Sequence, residues 1–166
     1  MTSAIQRVRC TGAPQGASFS LIRGLCRRLW RAGRRLGLSP AALASLGLHL
    51  VDDQAMARLH VEHMGLRGPT DVLSFPTGDA GAGGLGPGDI VINVDAAARQ
   101  ARHPSGAGLL DELAALAIHG LAHLLGHDHG ERREGRAMHR VERRALRAAR
   151  VPDIPRPYGL APRRGR

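Results

Sequence analysis

The chain has 166 residues, 43% of them hydrophobic, which is enough to build one ordinary core and argues against several domains. Aromatic residues make up only 2%, which excludes the broad stacking platform on which single-strand binders and RRM-type readers hold unpaired bases. The formal charge is +10 and all 24 basic residues are arginine, a side chain that keeps its proton and offers a planar fork to phosphate oxygens, so the surface suits a polyanion. A bias toward arginine codons explains the absence of lysine but leaves the net charge unexplained.

Residues 4 to 10 alternate apolar and polar and read as a strand, ended by a turn cluster at 11 to 16. Residues 18 to 36 place Leu21, Ile22, Leu25, Leu29 and Trp30 at helical spacing with arginines opposite, an amphipathic helix whose charged side suits either phosphate or plain solvent. Arg23, Arg27, Arg28 and Arg31 break the only apolar stretch near the N-terminus, so neither a secretory leader nor a membrane span is expected and the reading is cytoplasmic. Cys10 and Cys26 have no neighbouring cysteine at metal or redox spacing, and no disulfide framework is expected.

Residues 40 to 44 suggest a helical turn and 46 to 51 a strand, with Asp52 or Asp53 capping a helix to about Met64. Residues 72 to 75 form a short strand stopped by Pro76. Residues 77 to 88 hold six glycines and read as a flexible loop, a lid or a plain surface insertion. Residues 90 to 94 make a further strand, and Asp95 is expected to cap a helix ending before Pro104. Residues 109 to 125 form the longest apolar helix, terminated by Gly126, and 131 to 150 a strongly charged one. The chain thus reads as a single α+β domain over residues 1 to 152, with a small mixed four-stranded sheet packed with helices. Residues 153 to 166 read as a basic, proline-rich disordered tail.

Chemistry concentrates in the apolar helix. His119 and His123 stand one turn apart, so both imidazoles project from one face and a metal ion can take both without bending the backbone. Gly126 has access to positive φ and turns the chain, bringing His129 back over the helix end as a third ligand. Three neutral nitrogens leave the fourth tetrahedral position for water, which marks a catalytic rather than a structural zinc site. Two histidines at this spacing also occur as satisfied core residues, but the glycine break and the third histidine favour a metal. His127 competes for the third place, though the turn directs it away. The segment resembles the H-E-x-x-H helix of zinc peptidases, except that Gly120 replaces the glutamate that serves as general base. Phosphodiester hydrolysis suits such a site better, because the ion acidifies its water and neutralises a nonbridging oxygen.

The run HGLAHLLGHDH at 119 to 129 is close to the pattern H-G-x-L-H-L-x-G-Y-D-H, with Ala122 for leucine and His127 for tyrosine. Pro-Thr-Asp-Val-Leu-Ser-Phe at 69 to 75 and Gly-Asp-Ile-Val-Ile at 88 to 92 supply two further blocks in the matching order. On these three motifs the chain resembles, over about residues 46 to 146, the YbeY family of bacterial single-strand endoribonucleases that act in ribosomal RNA maturation. The resemblance implies His119, His123 and His129 as ligands of one zinc ion on a central helix. It also implies small-subunit rRNA and ribosomal partners. Asp128 then either orients a ligand imidazole or accepts a proton, or else caps the turn after Gly126. Family members carry a phosphate-holding arginine several residues before the Pro-Thr-Asp block; Arg67 is the nearest here, at a shortened spacing. Thr70, Asp71 and Ser74 either line the cleft or cap the strand start. Asp111 and Glu112 are expected to open the metal helix, where carboxylates favour the positive end of the dipole.

The sequence therefore reads as a zinc-dependent, single-strand-specific endoribonuclease of rRNA maturation. Two other readings stay open: an rRNA-binding assembly factor with a structural zinc, and a zinc peptidase-like hydrolase, which Gly120 disfavours. The three histidines suit zinc best, without excluding nickel or manganese.

Overall fold

The computed structural model describes residues 9–11, 18–77 and 87–152. In chain order these form β1 (Arg9–Thr11), α1 (Phe19–Arg35), α2 (Pro40–Ser45), β2 (Gly47–Val51), α3 (Asp53–Met64), β3 (Val72–Phe75), β4 (Asp89–Asn93), α4 (Val94–Gln100), α5 (Gly106–Leu124) and α6 (Arg132–Ala149). One mixed sheet has the order β1-β2-β4-β3, in which β1, β2 and β4 are parallel and β3 runs antiparallel on the edge. Three strands of four or five residues make up most of it, with the three-residue β1 at the other edge. The expected α+β class with a single mixed sheet is what the chain adopts.

Strand alternation decides which face packs on what. Leu48, Leu50, Ile90 and Ile92 enter the main core with Leu25 and Leu29 of α1, the length of α5, and Ala145, Leu146 and Ala149 of α6. Val91 and Leu73 point the other way, onto Met56 of α3. The register Leu48↔Ile90, Leu50↔Ile92 and Ser74↔Ile90 keeps each face uniform across the strands. The sheet is thus sandwiched between α3 and a larger helical layer, and α5 lies in the middle of that layer.

Local capping fixes where the helices begin. Ser18, Ser39, Asp52, Asn93 and Ser105 each accept a hydrogen bond from the amide three residues on, at 2.7 to 3.2 Å. Two of these caps differ from expectation. Asn93, the last residue of β4, caps α4, while Asp95 accepts instead from the Asp53 amide at 2.9 Å and ties α4 to α3. Ser105 caps α5, which starts at Gly106, three residues before Leu109, because Gly108 lets the first turn approach the His103 carbonyl, where a Cβ would lie 2.3 Å from the oxygen. Thr11, expected in a turn, is the last residue of β1. Residues 4 to 8, most of the glycine-rich loop and the basic tail lie outside the described residues.

Candidate metal centre

α5 is hydrophobic on every side, and thirteen of its residues, from Gly108 to Leu124, are buried. By length and composition it could cross a membrane, but it lies inside this fold, packed by β3, β4, α1, α4 and α6. Its C-terminus closes with paired backbone bonds from Gly126 to the His123 carbonyl (2.9 Å) and from His127 to the Ala122 carbonyl (3.1 Å). Gly126 stands at φ 83°, a conformation costly for any residue with a Cβ, and the chain reverses there.

The reversal carries His129 back beside His119 and His123. One nitrogen from each of the three rings lies within 4.8 Å of those of the other two, and the group can hold a metal ion. His119 Nε2 and His123 Nε2 are 3.2 Å apart, close to the edge of about 3.3 Å expected between two nitrogens on one tetrahedral zinc. The His129 ring stacks on that of His119 with centroids 5.5 Å apart and meets that of His123 edge-on at 5.2 Å. Burial, followed by the neighbouring His119 and His129, holds the His123 pKa below the ordinary histidine value, which favours the neutral, ligating form. His127 is outside the group; its amide is spent on the helix end.

Sequence reasoning missed one participant. His119 Nδ1 donates to Glu142 Oε1 of α6 at 2.6 Å, a pair in which both residues are about 95% buried. That bond fixes the ring and turns Nε2 toward His123. A signal was present: Glu142 interrupts the apolar stripe Met138, Ala145, Leu146, Ala149, and a carboxylate there must be buried against a donor. α6 also packs on the third histidine, since a Cβ on Gly135 would lie 3.6 Å from that of His129.

Gly120 occupies its place for a steric reason. A Cβ there would stand 2.8 Å from Ile90 Cγ2 and 3.0 Å from Ser74 Oγ, so this side of the helix is pressed onto the sheet. Ser74 Oγ donates to the Gly120 carbonyl at 3.1 Å, binding β3 directly to the turn that carries His119. Ser74 is therefore neither a strand-start cap nor a free polar group. The Thr70 carbonyl accepts from Asn93 Nδ2 at 3.1 Å and the Asp71 carbonyl from the Asn93 amide at 2.9 Å, so the Pro-Thr-Asp segment is anchored through its backbone.

Asp128 Oδ1 accepts the His129 amide at 2.6 Å. This bond, ahead of His123 and His129 nearby, holds its pKa below the usual carboxylate value. Arg67 is exposed between Gly65 and Gly68, both at positive φ, on the connection into β3. Asp111 and Glu112 do not sit at the dipole end, because α5 starts at Gly106. Asp111 pairs with Arg28 of α1, and Glu112 is buried.

Fold and site together define a small α+β domain built around a three-histidine centre able to hold one metal ion. The model of the endoribonuclease YbeY family matches residues 24–150, and the chain belongs to that family. Relatives named endoribonuclease YbeY include one from Nocardia farcinica, 45% identical over 121 residues, covering 68% of this chain and 64% of its own. Another from Mycolicibacterium gilvum is 43% identical over 122 residues, covering 68% and 67%. One from Mycobacterium leprae is 45% identical over 121 residues, covering 68% and 66%. The chain thus spans about two thirds of the length of these relatives, and slightly less for the first. A solution structure of a Thermotoga maritima protein aligns over 95% of this chain and 99% of its own, with TM-score 0.49 and 21% identity.

Proposed function

We propose that this chain is a zinc-dependent endoribonuclease that cuts single-stranded RNA during maturation of small-subunit ribosomal RNA in the cytoplasm. The observation that carries the reading is the convergence of His119, His123 and His129 at the end of a buried helix, in a family whose relatives are named for endoribonuclease activity. Three imidazoles suit zinc, and His119, His123 and His129 would hold it, with water or substrate completing its ligands. A bound ion of this kind acidifies a water molecule and withdraws charge from a phosphoryl oxygen.

The chain's own residues do the rest. Glu142 holds the His119 tautomer and ring plane. Asp128 positions His129 through the bond to its amide, and its carboxylate stays ionised beside the site. Arg67 grips a phosphate flanking the scissile one; in support, its loop runs directly into β3, which is bonded to the metal helix through Ser74. A peptidase reading loses ground, because a glutamate at position 120 would collide with Ile90 rather than reach a substrate. A purely structural zinc would call for a fourth protein ligand, and among the described residues the group has three.

The decisive experiment compares wild type with His123→Ala on a single-stranded rRNA fragment, with metal content measured on both. Loss of cleavage and of zinc, with RNA affinity kept, supports the nuclease. Equal loss of fold and binding would support the assembly factor instead.

A further inference from the structure

We infer that the outer face of α6 is a docking track for an RNA backbone, running along the helix whose inner face packs on the metal centre. Arg132, Arg136, Arg140 and Arg144 recur every four residues, Arg143 and Arg147 fall between them in angle around the helix axis, and all six are exposed. At 100° per residue they occupy an arc of about 120°. The opposite side, with Gly135, Met138, Glu142, Ala145, Leu146 and Ala149, is buried. Successive members of the four-residue row rise by about 6 Å, on the scale of one nucleotide in an extended strand.

Helix stability does not explain this face. Arginines spaced by three and four residues repel one another along the whole helix. Arg132 and Arg133 sit in the first turn, against the positive end of the dipole, and Glu131 makes no side-chain capping bond to offset them. The helix has two glutamates: Glu142 is buried on His119, and Glu134 lies off the arginine arc with Ala137 and Met138 as its helical neighbours. A merely solvated face would mix charge signs; this one breaks the local rules, as functional surfaces do.

Position and chemistry select the partner. α6 packs on the metal centre through Gly135 and Glu142 of its buried side, so the arginine face belongs to the helix that borders that centre. A membrane helix would need its apolar side for the bilayer, and in α6 that side is already in the core. The choice of RNA among polyanions rests on the function proposed above.

The test measures affinity of a 20-nucleotide single-stranded RNA as a function of salt, in a His123→Ala background that prevents cleavage. Each lost phosphate contact lowers the slope of log affinity against log salt by about 0.7. The triple variant Arg140→Gln, Arg144→Gln, Arg147→Gln should therefore lose about two units of slope and at least about tenfold in affinity near 0.1 M salt. Its helical content should be unchanged, and arginine-to-lysine changes at the same positions should largely restore binding. If the triple variant fails to fold, Arg144→Gln alone should lose about 0.7 of slope. Unchanged affinity and slope in a folded variant overturns the inference. So does a loss confined to phosphatidylserine vesicles or poly-glutamate while RNA binding stays. RNA that binds through α6 but is never cut by wild type keeps the track and removes the nuclease reading.

Discussion

α5 and α6 meet at the same three histidines and are built in opposite ways. α5 has no arginine and is buried almost throughout, so His119 and His123 are placed by a helix that cannot shift without disturbing the core. Each fully buried leucine in it contributes roughly 1.5–3 kcal/mol, which makes the helix a rigid mount. α6 carries seven arginines and is held only along one stripe. From that stripe it sends in the single carboxylate that orients His119, and from its other side it presents charge to solvent. Apolar burial supplies position, and the amphipathic neighbour supplies tuning. α5 fixes where the rings sit, and the carboxylate that orients His119 comes from α6.

The sharpest break in this comparison comes from removing a ligand on the rigid helix: His119→Ala should bind no zinc and cut no RNA, as elemental analysis and a cleavage assay would show. Removing the charge that α6 sends to the same ring should do less. Glu142→Gln keeps the shape but weakens the hold on Nδ1, and zinc affinity should fall about 10- to 100-fold in a chelator competition. An affinity within twofold of wild type would mean that α5 alone orients His119 and that α6 serves only as packing.

Much of this division was legible in the residues, and the limits have physical causes. The His119, His123, Gly126, His129 pattern gave the centre because helical periodicity and a left-handed glycine are local properties. The fold class followed from strand and helix periodicities. Glu142 was hidden because its partner is 23 residues away, and a charge in a charged helix draws no notice until the buried stripe is mapped. Asp111 and Glu112 were misplaced because Gly106 and Gly108 are poor helix formers, and only packing against His103 shows that the helix includes them. Gly120 was read as a missing base. Its real role, contact with β3 and β4, depends on tertiary approach.

That contact provides the next test, which loads the rigid mount from the sheet side. Gly120→Ala adds one methyl group against Ile90 and Ser74, where a branched side chain in a core strand has little room to give. Overpacking of this kind costs about 1–3 kcal/mol, to be read as a lower urea midpoint at unchanged slope. The expected loss in cleavage is smaller than for Glu142→Gln, because the histidines remain on the same face. Unchanged stability would mean that β3 and α5 can part without cost, contrary to the Ser74 bond to the Gly120 carbonyl.

The smallest effect belongs to a carboxylate in the opposite setting from Glu142. Asp53, at the start of α3, accepts from both guanidinium nitrogens of Arg99 at 2.7 and 2.9 Å and from Asn93 Nδ2 at 2.7 Å, in reach of solvent. The Arg99 hydrogen bonds, then that from Asn93, lower its pKa from 3.8 to about 2. A folded pKa below the unfolded one means that this clamp stabilises the protein fully above 3.8 and that the contribution is lost as pH falls toward about 2. Asp53→Asn should therefore be slightly less stable than wild type at neutral pH, with the difference closing through that acid window and zinc content at neutral pH equal to that of wild type. A difference that persists at the lowest pH would show that the clamp works by its shape rather than its charge, since Asn93 and Arg99 would then be holding α3 and α4 together without an ionised partner.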